Sequence, residues 1–128
     1  MNTYTRRQWL NMIGAATLLP HLPRPAGAAT SMRGAFIILS TPYTTANKVD
    51  YDDLASQVRF LDRCGVHGLV WPQNSSEQRY LSKTERLRGF DVLAEAAEDT
   101  RPALVLGVQG DDTEGMLEYA RYAEALAP

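Results

Sequence analysis

The sequence predicts an α/β domain whose strands run parallel in the order β-α-β-α-β-α, preceded by an export signal. Three observations predict it. Short continuous apolar runs at 34–40, 67–71 and 103–108 have the length and composition of strands buried on both faces. Between and after them, apolar residues recur at helical spacing. The junctions carry residues that start or stop helices. Such alternation implies parallel strands joined by right-handed crossovers.

Residues 1–28 read as the signal. Arg6 and Arg7 precede an apolar run from Trp9 to Leu19, and a Pro-punctuated segment ends in Ala26-Gly27-Ala28-Ala29. That is the order of a secretory leader. Thr5-Arg6-Arg7-Gln8-Trp9-Leu10 is similar to the twin-arginine motif of proteins exported already folded. The apolar run is shorter than the roughly 20 residues that span a bilayer, so no stable membrane span is expected. The expected organisation is a twin-arginine-type signal peptide at 1–28, cleaved near Ala28, and a folded domain at 34–128 that is periplasmic or otherwise exported.

The first strand, Gly34 to Ser40, is bounded by Thr41-Pro42. Asp50, followed by Asp52 and Asp53, supplies a helix cap and an acidic first turn, a simpler role for this triplet than metal binding. Leu54, Val58, Leu61 and either Cys64 or Val66 form the buried stripe of that helix, which Gly65 closes as a left-handed cap. His67 to Trp71 is the second strand, stopped by Pro72.

Ser82-Lys83-Thr84-Glu85 is a capping box opening a helix with Leu87, Phe90, Leu93, Ala94 and Ala97 inward. Arg101-Pro102 ends it, and Ala103 to Val108 is the third strand. Asp111-Asp112-Thr113 caps a last helix with Met116, Leu117, Ala120, Ala123 and Leu126 inward. Three units neither close a barrel nor make more than a thin sheet, so the sequence reads as the opening of a longer design.

Composition narrows the function. Thirteen basic and fifteen acidic side chains give a net charge of −2, which offers nothing to nucleic acid or an anionic surface. The single cysteine, Cys64, forms no intrachain disulfide and is expected to be a small buried hydrophobe. No metal or cofactor is expected. His67 is expected to be partly buried and hydrogen-bonded.

The segment with site chemistry is Pro72-Gln73-Asn74-Ser75-Ser76-Glu77. It lies at the carboxyl end of the second strand, where parallel α/β folds keep their ligands. Backbone N–H groups at such a turn make a concavity for a carboxylate or phosphate, which Asn and Ser side chains extend. The same residues also suit an ordinary solvated turn. Tyr43, at the end of the first strand, and Gln109 and Asp111, at the end of the third, share that face.

Three features together resemble the dihydrodipicolinate synthase / N-acetylneuraminate lyase family. Gly34-Ala35-Phe36 running into Thr41-Pro42-Tyr43 is similar to the family's strand and Thr-Pro start. Gly65-Val66-His67-Gly68-Leu69-Val70, then Asn74-Ser75-Ser76-Glu77, then Leu81-Ser82-Lys83-Thr84-Glu85-Arg86, is similar to its Gly-Thr/Ser-Thr/Ser-Gly-Glu loop and capped helix. Val105-Leu106-Gly107-Val108 resembles its Gly-rich third strand end. The resemblance covers about 34–128.

The resemblance implies a class I aldolase fold, with these residues as the first three β/α units of a (β/α)8 TIM barrel. It implies a lyase acting on a small 2-oxo acid such as pyruvate, without a cofactor. Position by position, Asn74 falls where the family binds the substrate carboxylate, and Ser75 where it relays a proton. Ser76 and Tyr43 join them as expected substrate contacts. Ser76 stands where the family has glycine, and Gln73 where another glycine is usual.

A class I aldolase forms a Schiff base on a lysine. The resemblance places that lysine on strand six and its tyrosine partner on the fifth-strand side, both beyond residue 128. Lys48 and Lys83, the only lysines present, fall in a loop and at a helix start. The expectation is the amino-terminal portion of such a lyase, inactive by itself, with a homo-oligomer compatible. The alternative is a non-catalytic α/β module that binds a small anion or a protein partner.

Overall fold

A computed structural model of the protein describes residues 33–126; the expected signal peptide lies outside them. The order is β1 (Phe36–Ile38), α1 (Tyr51–Arg63), β2 (Gly68–Trp71), α2 (Lys83–Ala97), β3 (Ala103–Leu106) and α3 (Thr113–Leu126). Two single 3-10 turns, Asn74–Ser76 and Gln78–Tyr80, lie between β2 and α2. The strands form one parallel sheet in the order β1-β2-β3. α1 packs on α2 and α2 on α3. Neighbours in sequence are therefore neighbours in space.

The helix ends follow the local chemistry. Asp50 accepts from the Asp53 N–H at 3.0 Å. Gly65 closes α1 at φ 74°, a conformation glycine adopts without steric cost. At α2 the capping box is complete: Glu85 N–H donates to Ser82 Oγ at 3.2 Å, and Ser82 N–H to Glu85 Oε2 at 2.9 Å. Asp112 accepts from Gly115 N–H at 2.8 Å at the start of α3.

Successive strand residues point to opposite sides of the sheet, and among the described residues the helices cover one of those sides. Leu69 and Trp71 are fully buried with Leu54, Val58, Phe90 and Leu93. Trp71 meets Phe90 edge to face at 6.2 Å, and its ring lies against Gly89, where a Cβ would collide with it. On the other face Ile38, Val70 and Val105 share one row of the register. One step along that face, the Phe36 ring occupies the space beside Gly68, its register partner.

Three expectations are corrected. β1 is shorter than its apolar run and is not buried on both faces: Ile38 is 46% exposed, because β1 is an edge strand and its row has no covering layer among the described residues. In α3, Met116 and Leu117 are exposed, and Tyr119 and Tyr122 turn inward with Ala123 and Leu126. The two tyrosine rings pack on Phe90 and rotate the buried stripe away from the purely aliphatic positions. Cys64 is exposed at the end of α1, and Val66 takes the place against the core. Among the described residues no helix is long and apolar enough to cross a membrane.

Candidate functional site

The end of β1 and the loop after β2 are joined by buried hydrogen bonds. Trp71 Nε1–H donates to Thr41 Oγ1 at 3.0 Å, and Thr41 Oγ1–H donates to the Ser76 carbonyl at 2.5 Å. Ser76 Oγ–H donates to the Leu39 carbonyl at 2.5 Å and accepts from Gln73 N–H at 3.1 Å. Ser76 is fully buried and Thr41 nearly so. In such surroundings each of these polar groups needs its partner, so the loop has one favoured shape.

That shape sets the four residues expected to contact substrate apart. Asn74 and Ser75 stand on an exposed single turn, and no hydrogen bond engages either side chain among the described residues. Ser76 lies beneath them, its hydroxyl spent inside the chain. Tyr43 is 41% exposed on the neighbouring loop. Partial burial pushes its hydroxyl above the ordinary tyrosine range, and the negative charge of the Glu77 and then the Glu85 carboxylate pushes it the same way. Glu77 closes the turn from the left-handed region, φ 57° and ψ 31°, which costs a non-glycine residue about 1–2 kcal/mol.

The loop after β3 meets the same region. A Cβ on Gly107 would collide with the Pro72 carbonyl oxygen, so glycine is what lets the backbones touch. Gln109 Nε2–H donates to Gln73 Oε1 at 2.8 Å. Arg86 donates through Nη2 to the Gln109 carbonyl at 2.5 Å and the Gly107 carbonyl at 3.4 Å. It is 5% exposed, and its guanidinium lies 4.0 Å from the centre of the Tyr119 ring. Arg86 Nε and Gln109 Oε1 are buried without hydrogen-bond partners among the described residues.

Neither lysine is desolvated: Lys48 is exposed, and Lys83 pairs at the surface with Glu118 at 2.5 Å. His67 is exposed, and its Nδ1 accepts from Ala35 N–H at 3.2 Å. No cluster of three or more metal-ligating side chains occurs among the described residues. Sequence reasoning missed Thr41, Arg86 and the Gln73–Gln109 pair. Thr41 and Arg86 sat in plain view inside recognised motifs, but nothing local marked them as buried.

The fold and the loop together define an α/β protein with a sequentially ordered parallel sheet and a polar loop at the carboxyl end of its second strand. No family model matches the chain. It is 31% identical over 93 residues to the 4-hydroxy-tetrahydrodipicolinate synthase of Methanococcus maripaludis, covering 73% of this chain and 32% of the relative. It is 30% identical over 92 residues to the enzyme of the same name from Rhizobium meliloti, covering 72% and 31%.

Among solved structures, a dihydrodipicolinate synthase from Agrobacterium tumefaciens superposes with a TM-score of 0.68 at 26% identity, over 77% of this chain and 33% of that one. N-acetylneuraminate lyase from Mycoplasma synoviae shares the fold, with a TM-score of 0.68 at 22% identity over 76% and 34%. The chain belongs to the dihydrodipicolinate synthase / N-acetylneuraminate lyase family. It spans about a third of the length of the curated relatives it matches.

Proposed function

We propose that these residues are the opening units of a (β/α)8 lyase and supply the carboxylate-binding side of a site for a small 2-oxo acid such as pyruvate. The observation that carries this reading is the division of labour within one loop. Ser76 and the Gln73 N–H are locked into the fold, and that leaves Asn74 and Ser75 presented at the carboxyl end of β2. In this reading the Asn74 side-chain amide and the backbone N–H groups of Asn74 and Ser75 hold the carboxylate, and the Ser75 hydroxyl passes a proton. Ser76 braces the loop and does not touch the ligand.

The covalent step of such a lyase joins the 2-oxo carbon to a lysine amine with loss of water, which requires an amine able to shed its proton. Lys48 is exposed and Lys83 is engaged in a surface ion pair with Glu118, so neither lies in the enclosed, desolvated surroundings that such a step favours. The Schiff-base lysine and its tyrosine partner therefore belong, in this reading, to units outside these 128 residues, and this chain alone does not turn over substrate.

Sodium borohydride reduction of the chain with pyruvate, followed by mass spectrometry, tests the second part: the expected result is no adduct, and an adduct at either lysine would overturn it. Titration with sodium pyruvate by nuclear magnetic resonance tests the first. Saturable shifts of the Asn74 and Ser75 amides are expected, and their absence would overturn the carboxylate role. We further propose that residues 1–28 direct export of the folded protein.

A further inference from the structure

Gln73 directly precedes Asn74, and its side chain is held from the next unit of the fold. Gln109 Nε2–H reaches it across 36 positions of sequence. Gln109 is anchored in turn, because Arg86 donates to its carbonyl. The ion pairs found among the described residues, Lys83–Glu118 and Arg101–Asp62, do not involve Arg86. Its buried charge is met by two backbone carbonyls and the Tyr119 ring. Moving either carbonyl away would leave the cation without solvation, so the guanidinium holds the loop after β3 firmly. The contact of Gly107 with the Pro72 carbonyl fixes the same loop from the other side.

We propose that Arg86 and Gln109 are positioning residues for the candidate ligand loop. Arg86 fixes the backbone after β3, Gln109 passes that position to Gln73, and Gln73 sets Asn74 and Ser75. The inference rests on the carboxylate reading for its ligand but not for its relay, so each can fail separately.

The test uses the full chain, with sodium pyruvate as probe. Gln109→Met keeps the length of the side chain and removes the donor. In this variant, hydrogen exchange of the Ser76, Glu77 and Gln78 amides should quicken about tenfold, with the α1 amides unchanged, and the pyruvate Kd should rise about tenfold. Gln73→Glu, which keeps an acceptor for Gln109, should retain slow exchange. Arg86→Lys should loosen the loop further, but it also empties a buried position, so Gln109→Met is the deciding variant. Wild-type exchange in the loop of Gln109→Met, or equal quickening in α1, would overturn the relay. A loosened loop in the variant with no pyruvate response in the wild type would support the relay and overturn the carboxylate reading.

Discussion

Ser76 Oγ lies 2.5 Å from the Leu39 carbonyl oxygen and donates to it, tying the loop after β2 to the end of β1 across 37 positions of sequence. The bond is fully buried, so both of its ends depend on it. Removing the hydroxyl leaves the Leu39 carbonyl and the Gln73 N–H without partners. Ser76→Ala is expected to destabilise the fold by about 2 kcal/mol. Ser75→Ala, on the exposed side of the same turn, should change stability by less than about 0.5 kcal/mol. Thermal and urea unfolding of the two variants measure the difference, and equal losses would contradict the division of labour within the loop.

Gly89 lies under the Trp71 ring, and a methyl group there has no room. Although alanine favours helices more than glycine by about 1 kcal/mol, overpacking against a fully buried indole dominates. Gly89→Ala should destabilise by about 1–3 kcal/mol. Its melting temperature should fall, where an exposed helical Gly→Ala change would raise it.

The capping box that starts α2 carries a pH dependence. Hydrogen bonds from the Ser82 hydroxyl and then its backbone N–H hold the Glu85 carboxyl below the ordinary glutamate range. Since the folded value lies below the unfolded one, this stabilisation is present above the unfolded value and lost as pH falls through the folded one. Stability should therefore decline below about pH 4.3. Asp62, lowered chiefly by its hydrogen bonds from Arg101, contributes in the same direction. The difference between wild type and Glu85→Ala, melted from pH 6 to pH 3, isolates the cap. That difference should shrink on acidification. Ser82→Ala should cost about 1 kcal/mol at neutral pH.

Tyr43 reports on Glu77. Its hydroxyl should titrate above the ordinary tyrosine range in the wild type and move down in Glu77→Gln, which removes the carboxylate with the larger charge effect on it. The tyrosinate absorbance of each form, after subtraction of its Tyr43→Phe counterpart, measures the shift. An unchanged value would separate Tyr43 from the loop.

The export role proposed for residues 1–28 gives a cellular prediction for their paired arginines. Arg6→Lys together with Arg7→Lys should abolish export of the intact protein while leaving residues 33–126 folded. Fractionation of the expressing cells reads this directly, and unimpaired export of the double variant would contradict the twin-arginine assignment.

What was legible in the sequence was local. Asp50, Gly65, Ser82 and Glu85 act within four positions of themselves, so spacing alone identified them. The order of the elements was legible because strand and helix have different apolar periods. On α3 the inward places of Ala123 and Leu126 were legible but those of Tyr119 and Tyr122 were not, since tyrosine is amphiphilic and distant partners, Phe90 for both rings, Arg86 for Tyr119 and Asp91 for Tyr122, set which way they turn. The site divided the same way. Its loop was visible from its place after a strand, but the bonds from Thr41 and Gln109 span 35 and 36 positions, and no local pattern encodes them.

The pairing of Phe36 with Gly68, on the side of the sheet opposite Leu69 and Trp71, has a consequence for descent. The aromatic ring occupies the volume that a side chain at position 68 would need, so bulk at these two positions is a shared quantity. In homologues where 68 has gained a side chain, position 36 should have become small, and a compensating double exchange should restore folding that either single change damages. The two sites are coupled as lineages diverge, although 32 positions separate them along the chain.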